Sequence, residues 1–101
     1  MGREGEEAAN IPAPKGRIES LTGSAKYRIP DGIDHEAHIL YEVKNVRYLD
    51  NTWQIKDFIL YCRTNDYMFI LYVRQANGTT LSPGLIKSLE TIPHKVIKKI
   101  P

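Results

Sequence analysis

The sequence has a single cysteine, Cys62, among its 101 residues. One cysteine excludes an intramolecular disulfide framework, and it excludes a zinc site built from several thiolates of this chain. Cys62 falls on the apolar stripe of a predicted helix, so we expect it to be a small core residue. The thiol is therefore predicted to contribute to packing and not to chemistry.

Long apolar runs are also missing from the sequence. No segment approaches the roughly 20 apolar residues that a transmembrane helix needs. Residues 1–12 lack the basic start and the apolar centre of a secretory signal. We therefore expect no membrane insertion by this domain, and we expect any export to depend on another part of a larger protein.

The chain has little net charge, because 14 lysine and arginine residues stand against 12 aspartate and glutamate residues. Glu4, Glu6 and Glu7 lie within the first twelve positions, so the remainder is more basic than the net charge of +2 indicates. A mildly basic surface is compatible with a polyanionic partner but does not demand one. With 42% hydrophobic residues, the chain is long enough for one compact domain with a modest core.

Prolines and the periodicity of apolar residues divide the chain into short elements. Two prolines end a first helix over residues 2–10, and Ser82-Pro83 supplies a capping hydroxyl and a first-turn proline for a late helix. Between them, a helix that begins at Asn51 or Thr52 and runs to about Arg63 separates two apolar strands. The predicted strands cover residues 26–29, 39–46, 67–73 and 95–100, with a shorter one over 17–21, and residues 75–80 are predicted to form a loop.

This order of elements predicts the fold class. A helix between two strands favours a right-handed crossover, which leaves the strands parallel and covered on both faces. The last strand carries three lysines, and we expect it at a sheet edge, where charge deters pairing with other chains. The predicted class is therefore α/β, with a mixed central β-sheet flanked by helices.

Two opposite charges occupy the strand over residues 39–46. A period of two places Glu42 and Lys44 on the same face as Leu40, and both faces of this strand are largely apolar. An unpaired charge inside a covered sheet is costly, so these two side chains need a specific reason to be there. If they lie at a cleft edge with Asp31, two carboxylates can hold a hard divalent cation, and the ammonium can face a phosphate or an attacking water.

Each of these residues also has a purely structural interpretation. Pro30-Asp31-Gly32 is an ordinary turn sequence, in which the aspartate needs only to bond the local backbone. Glu42 and Lys44 can form an ion pair that adds little net stability. The order of the three residues along the chain is what separates the two interpretations.

That order resembles the PD-(D/E)XK nucleases, which have the restriction-endonuclease-like fold. More narrowly, the sequence is similar to the C-terminal toxin domains of bacterial polymorphic toxins and contact-dependent growth inhibition toxins. Beyond Asp31 and the Glu42-Val43-Lys44 triplet, the resemblance rests on short segments that span nearly the whole chain. These segments are residues 2–6, 27–32, 41–46, 54–58, 71–74 and 81–85.

The resemblance implies a role for each residue of the motif. The matching aspartate and glutamate, here Asp31 and Glu42, bind the catalytic cation, and the carbonyl of Val43 adds a ligand. Lys44 assists the attacking water. Glu6 matches a first-helix glutamate that many relatives place near the metal, although a short acidic helix is also an ordinary solvated face. The implied cofactor is Mg²⁺, with Mn²⁺ or Zn²⁺ as alternatives.

The resemblance also suggests substrate contacts. Gln54 opens the helix after the motif strand, where the family often uses a polar residue to steady the site or contact the substrate backbone. The basic residues Lys56, Arg47 and Arg74 are candidates for phosphate contacts. All four side chains are equally compatible with an ordinary solvated surface.

The resemblance therefore predicts a metal-dependent nuclease, with DNA favoured over RNA as the substrate. Residues 1–101 are expected to form a single domain, the C-terminal part of a larger secreted toxin that is delivered to the cytoplasm of a target bacterium. A cognate immunity protein is the implied partner, and a homodimer would allow both strands to be cut together. The alternatives are a ribonuclease on the same fold and a catalytically idle nucleic-acid-binding module.

Overall fold

The computed structural model of the chain describes the backbone of residues 2–75 and 78–100, and the side chains from residue 5 onward within those ranges. In these ranges three helices and eight strands follow one another. They are α1 (Gly2–Ala9), β1 (Ile18–Glu19), β2 (Tyr27–Arg28), β3 (Gly32–Asp34), β4 (Ile39–Lys44), β5 (Tyr48–Leu49), α2 (Trp53–Asn65), β6 (Met68–Val73), β7 (Thr80–Leu81), α3 (Pro83–Leu89) and β8 (Lys95–Lys99).

A four-stranded mixed sheet in the order β3-β4-β6-β8 forms the centre of the fold. Strand β3 runs antiparallel to β4, whereas β4, β6 and β8 are parallel to one another. Helices α2 and α3 lie in the two connections between the parallel strands. The predicted mixed sheet is therefore confirmed, and the lysine-bearing last strand lies at its edge as expected.

The two faces of the sheet pack against different parts of the chain. On one face Leu40 and Leu71 join a core that includes Phe58 of α2. On the other face Tyr41 and Val43 pack in a smaller cluster that also contains Ala9 of α1 and Ile70 of β6. The alternation predicted for the strand is confirmed, so Glu42 points toward the α2 side, as Leu40 does.

The helix starts follow the predicted capping chemistry. The hydroxyl of Thr52 accepts a hydrogen bond from the amide of Ile55 at 3.2 Å, and that of Ser82 accepts one from Leu85 at 3.1 Å. Each cap satisfies one of the unpaired amides in the first turn of a helix. Cys62 on α2 is buried, and this burial raises the pKa of its thiol to about 12, in agreement with a core role.

Two local predictions were incomplete. The segment between Asp31 and the motif strand was expected to be a plain connection, but it contains β3, which pairs with β4. Thr80 was assigned to a loop, but it begins β7, which pairs in parallel with β5. Both strands are only two or three residues long, so their pairing partners and not their own periodicity define them. Within the described ranges, no helix is both long and apolar enough to cross a bilayer.

Candidate active site

Asp31 and Glu42 meet where β3 begins to pair with β4. The amide of Asp31 donates a hydrogen bond to Glu42 Oε1 at 3.1 Å, and the amide of Val43 donates one to Asp31 Oδ2 at 2.8 Å. Each carboxylate is therefore fixed by the backbone of the neighbouring segment. The antiparallel β3–β4 pair that the sequence did not predict is what brings the two residues together.

Lys44 lies beside this pair on the same face of β4. Its ammonium is 2.9 Å from Glu42 Oε2 and donates a hydrogen bond to Gln54 Oε1 at 2.6 Å. Gln54 is the second residue of α2, so this helix end is joined directly to the motif strand. Asp31, Glu42, Lys44 and Gln54 thus form one connected polar cluster.

Glu6 reaches the same cluster from the opposite side, on α1, through Lys15. The ammonium of Lys15 is 2.9 Å from Glu6 Oε1 and 3.6 Å from Asp31 Oδ1. Lys15 is held there because the carbonyl of Pro14 accepts a hydrogen bond from the amide of Ile33 in β3 at 2.9 Å. Sequence reasoning missed Lys15, because a single lysine in a proline-rich connection carries no local signal.

A cleft of about 680 Å³ opens beside these groups. It is lined by α1 and the connection that follows, together with the residue that precedes β3. The lining residues are Glu6, Glu7, Asn10, Ile11, Ala13, Pro14, Lys15 and Asp31. The carboxylates of Glu6 and Asp31 therefore face a space that can admit a ligand.

The protonation of the carboxylates reflects their burial and their neighbours. Burial is the main cause that raises the pKa of Glu42 to about 7, and repulsion from Asp31 adds to it against the attraction of Lys44. Burial likewise raises the pKa of Asp31, with a further contribution from Glu6. The hydrogen bond from Lys15 lowers the pKa of Glu6. In the buried Glu42 and the partly buried Asp31, burial therefore disfavours the ionised carboxylate more than the neighbouring donors favour it.

The donor set fits a hard divalent cation. Carboxylate and backbone carbonyl oxygens are the ligands that Mg²⁺ and similar ions use in proteins. Across the described part of the chain, no group of three or more His, Cys, Asp or Glu side chains is already arranged to hold an ion. Water and a backbone carbonyl are therefore needed to complete any coordination here, as is usual for Mg²⁺.

The other basic candidates are spread over three places. Arg74 donates a hydrogen bond from Nε to Asn45 Oδ1 at 3.2 Å, one residue beyond Lys44. The ammonium of Lys56 lies 4.2 Å from the centre of the Trp53 ring on α2. Arg47 is exposed after β4, and its carbonyl accepts a hydrogen bond from Thr80. Of the four predicted substrate contacts, only Gln54 touches the motif residues directly.

A second polar cluster, which sequence reasoning did not find, surrounds the fully buried Asp57 on α2. Its carboxylate accepts hydrogen bonds from Arg28 Nε at 2.8 Å, from the Ser20 hydroxyl at 2.7 Å and from the Thr22 amide at 2.9 Å. Burial opposes ionisation, but these donors outweigh it and lower the pKa of Asp57 to about 2. The cluster joins the β1–β2 hairpin to α2. Arg28, the hairpin residue that contacts Asp57, lies three residues before Asp31 in the sequence.

The mixed sheet, its flanking helices and the placement of an aspartate beside a Glu-x-Lys strand are those of the PD-(D/E)XK class, with the restriction-endonuclease-like fold. Comparison with family models agrees: the model described as restriction endonuclease fold toxin 7 matches residues 2–85. The chain belongs to this family of nuclease toxins. Neither the curated proteins nor the solved structures gave a significant match.

Proposed function

We propose that this chain is a metal-dependent nuclease that hydrolyses phosphodiester bonds, with DNA as its preferred substrate. The observation that carries the proposal is the convergence of Asp31, Glu42 and Lys44 where β3 begins and β4 ends, in the order and strand context of the family motif. Two adjacent carboxylates with raised pKa values next to a lysine are typical of a functional site, whereas a purely structural ion pair needs only one carboxylate.

Asp31, Glu42 and the carbonyl of Val43 would hold Mg²⁺, or alternatively Mn²⁺ or Zn²⁺, with Glu6 nearby at the cleft. When bound, such an ion polarises a phosphate oxygen and lowers the pKa of a coordinated water. Lys44 supplies the remaining chemistry from the chain itself, since its ammonium can orient the attacking water and offset negative charge that develops on the phosphate. Gln54 positions Lys44 through their 2.6 Å hydrogen bond.

Lys15 has a separate role in this proposal. Its ammonium lies between Glu6 and Asp31, where a positive charge offsets two carboxylates. Its side chain is largely exposed, so it can move into solvent at little cost when a cation or a phosphate binds. Lys15 therefore acts as a replaceable counter-ion for the two carboxylates.

The biological setting follows from the toxin family. We propose that residues 1–101 form the toxic domain of a larger secreted protein, that the domain acts in the cytoplasm of a target bacterium, and that a cognate immunity protein protects the producing cell. A nuclease that reaches its own cytoplasm would degrade the nucleic acid of its producer. Expression in a bacterial cytoplasm, with and without co-expression of a candidate immunity protein, tests this setting.

Parallel digestion tests the activity. Supercoiled plasmid, single-stranded DNA and total RNA are each incubated with the chain in Mg²⁺, Mn²⁺, Zn²⁺ or EDTA. We expect DNA to be cleaved in at least one metal and to remain intact in EDTA. Cleavage of RNA alone would favour the ribonuclease alternative, and binding without cleavage in every metal would favour the idle binding module.

The products also report on the oligomeric state. A monomer with one site nicks one strand per encounter, whereas the predicted homodimer would convert supercoiled plasmid directly to the linear form. Sedimentation of the protein at the concentration used for cleavage provides the independent measurement.

A further inference from the structure

Trp53 is the only tryptophan of the chain, and 58% of its surface is exposed. It is the first residue of α2, on the side of the helix opposite to the buried stripe that includes Ile55 and Phe58. A single exposed aromatic residue is common on protein surfaces and needs no explanation by itself. The surroundings of Trp53 are what make this residue informative.

Trp53 directly precedes Gln54 of the candidate site, and the ammonium of Lys56 lies over its ring. The following residue, Gln54, accepts the hydrogen bond from Lys44. The ammonium of Lys56 lies 4.2 Å from the centre of the indole, in the geometry of a cation–π contact. A flat apolar ring and a positive charge are therefore held together in the first turn of α2.

A groove of about 180 Å³ continues along α2 from this pair. Lys56 and Arg63 line it from the helix, and three hydroxyl groups line it from the β1–β2 hairpin and from the end of α3. The full lining is Thr22, Lys56, Ile59, Leu60, Arg63, Ser88 and Thr91. No carboxylate is among these residues, and Asp57 nearby is already bonded to Arg28. Two cations with no carboxylate among the lining residues form a surface that suits phosphates.

Resting on the proposed nuclease function, we propose that Trp53, Lys56 and the groove beyond them bind a single-stranded stretch of the substrate, with one unpaired base stacked on the indole. A base inside a duplex is covered on both faces by its neighbours, so an open indole can stack only on an unpaired or end base. Lys56 and Arg63 then hold the flanking phosphates. The substrate class is therefore single-stranded or locally unpaired nucleic acid.

An apolar side chain of a protein partner could also cover an exposed tryptophan. The surroundings favour nucleic acid, because an ammonium already lies over the ring and the groove beside it is lined by two cations and no carboxylate. A hot spot of a protein–protein interface is normally a well-packed pocket, and the contacts around it exclude water. The test below separates the two occupants.

Fluorescence of the single tryptophan provides a direct readout. The wild-type chain is titrated in EDTA with a single-stranded DNA oligonucleotide, with the same sequence as a duplex, and with an abasic oligonucleotide of equal length. A gel confirms that the DNA stays intact. We expect strong quenching by the single strand, weak quenching by the duplex, and little quenching by the abasic strand even where anisotropy shows that it binds.

Variants separate stacking from charge. Trp53→Ala should bind a labelled single strand roughly tenfold more weakly, whereas Trp53→Phe should retain most of the affinity. Lys56→Gln should reduce the slope of log affinity against log salt by about 0.7, the value for one single-strand phosphate contact. The matched control is Ile97→Ala, which changes an exposed apolar residue of the edge strand β8. This variant should bind the single strand as the wild type does.

The outcomes also separate this inference from the proposed activity. Unchanged affinity and substrate preference in Trp53→Ala, with a wild type that still cleaves DNA, would overturn the stacking site and leave the nuclease intact. Quenching by the purified immunity protein but not by any oligonucleotide would overturn it in favour of a protein partner. Failure of the wild type to bind or cleave any nucleic acid would remove both proposals together.

Discussion

The backbone amide of Asp31 donates a hydrogen bond to the carboxylate of Glu42, next to the first pair of the β3–β4 ladder, Gly32 and Tyr41. The reciprocal bond runs from the amide of Val43 to the carboxylate of Asp31. Each acid is thus held by a backbone amide of the neighbouring segment as well as by a lysine. The strand pairing itself joins Gly32–Asp34 to Ile39–Tyr41, so we expect each acid to be replaceable without loss of that pairing.

Replacing any of the three motif residues should abolish activity and leave the fold intact. We expect Asp31→Asn, Glu42→Gln and Lys44→Ala each to reduce the initial rate of DNA cleavage by about a hundredfold or more, because each removes a charge needed in the transition state. Loss of toxicity in a bacterial cytoplasm should follow. Circular dichroism and a thermal melt check that the variants are folded.

Matched substitutions at exposed positions provide the controls for these variants. They are Asp66→Asn, Glu36→Gln and Lys87→Ala. Each makes the same chemical change away from the site, and each should cleave as fast as the wild type. Full cleavage by well-purified Asp31→Asn would show that the site is assigned wrongly.

Divalent metal should stabilise the wild type and not the Glu42→Ala variant. A ligand that binds only the folded state raises the free energy of unfolding, by about 2.7 kcal/mol when its concentration is 100 times its dissociation constant. Thermal melts with millimolar Mg²⁺, Mn²⁺ or Zn²⁺ and with EDTA measure this effect. Identical melting curves for both proteins in all metals would support the idle binding module.

The metal-free protein should lose stability as the pH rises from about 4.5 to about 7. The pKa of Glu42 is about 7 in the folded state and near 4.5 without its surroundings, so the folded state binds the extra proton across this window. The stability contributed by the protonated form is present below pH 4.5 and is lost above pH 7. The loss is on the order of 2–3 kcal/mol.

Urea unfolding in EDTA at several pH values measures that loss. Glu42→Gln should lose much less stability than the wild type over the same window, because its amide does not titrate and only Asp31 still contributes a raised pKa. A wild type that is equally stable at pH 5 and pH 8 would show that Glu42 is not destabilised by its ionisation.

Asp57→Asn should destabilise the fold far more than a surface substitution does. The change leaves the Arg28 guanidinium partly buried and without its charged partner, which costs about 3–5 kcal/mol in comparable buried pairs. Chemical denaturation measures the loss. Asp66→Asn is the matched control, since an asparagine is tolerated in the left-handed conformation of that helix cap. Equal stability of the two variants would contradict the structural role of Asp57.

The immunity protein should associate through charge. We expect an acidic partner to bind the basic rim formed by some of Arg47, Lys56, Arg63 and Arg74, or the lysine-bearing β8. Complementary charge raises association rates above the neutral range of about 10⁵–10⁶ M⁻¹s⁻¹. Charge reversal at these positions should slow association more than it speeds dissociation, and the effect should shrink as salt rises.

Stopped-flow mixing at low and high ionic strength checks this prediction. Reversal of Lys87, an exposed residue of α3 that is not part of the proposed rim, serves as the control. An association rate that does not depend on salt would rule out electrostatic capture and would leave the nuclease proposal untouched.

The sequence predicted those parts of the fold that depend on local chemistry. Thr52 and Ser82 could be predicted as helix starts because a short hydroxyl side chain can accept a hydrogen bond from an unpaired amide of the first turn. The apolar stripe that follows each of them indicates the helix itself. The two apolar faces of β4 and β6 also follow from their residues alone, since only a central strand buries both faces. The order Asp31, Glu42, Lys44 was sufficient to suggest where the site would form.

The parts that the sequence did not reveal depend on distant partners. Strand β3 is three residues long and exists because β4 is beside it. Lys15 reaches Glu6 and Asp31 only because its loop is bonded to Ile33. In the sequence, Asp57 looks like an ordinary polar residue of a helix. It is buried because the β1–β2 hairpin, about 30 residues earlier in the chain, packs against it. Such placements require tertiary structure, which short periodicities do not encode.

Three carboxylates of the candidate site come from separate parts of the chain that meet only in the folded protein. Glu6 belongs to α1, Asp31 precedes β3, and Glu42 lies within β4. An unfolded or stretched chain therefore carries no assembled centre, however complete its sequence is. If this chain is transported in an extended form, it would be inactive during transport. Folding at the destination would then be the step that assembles the site.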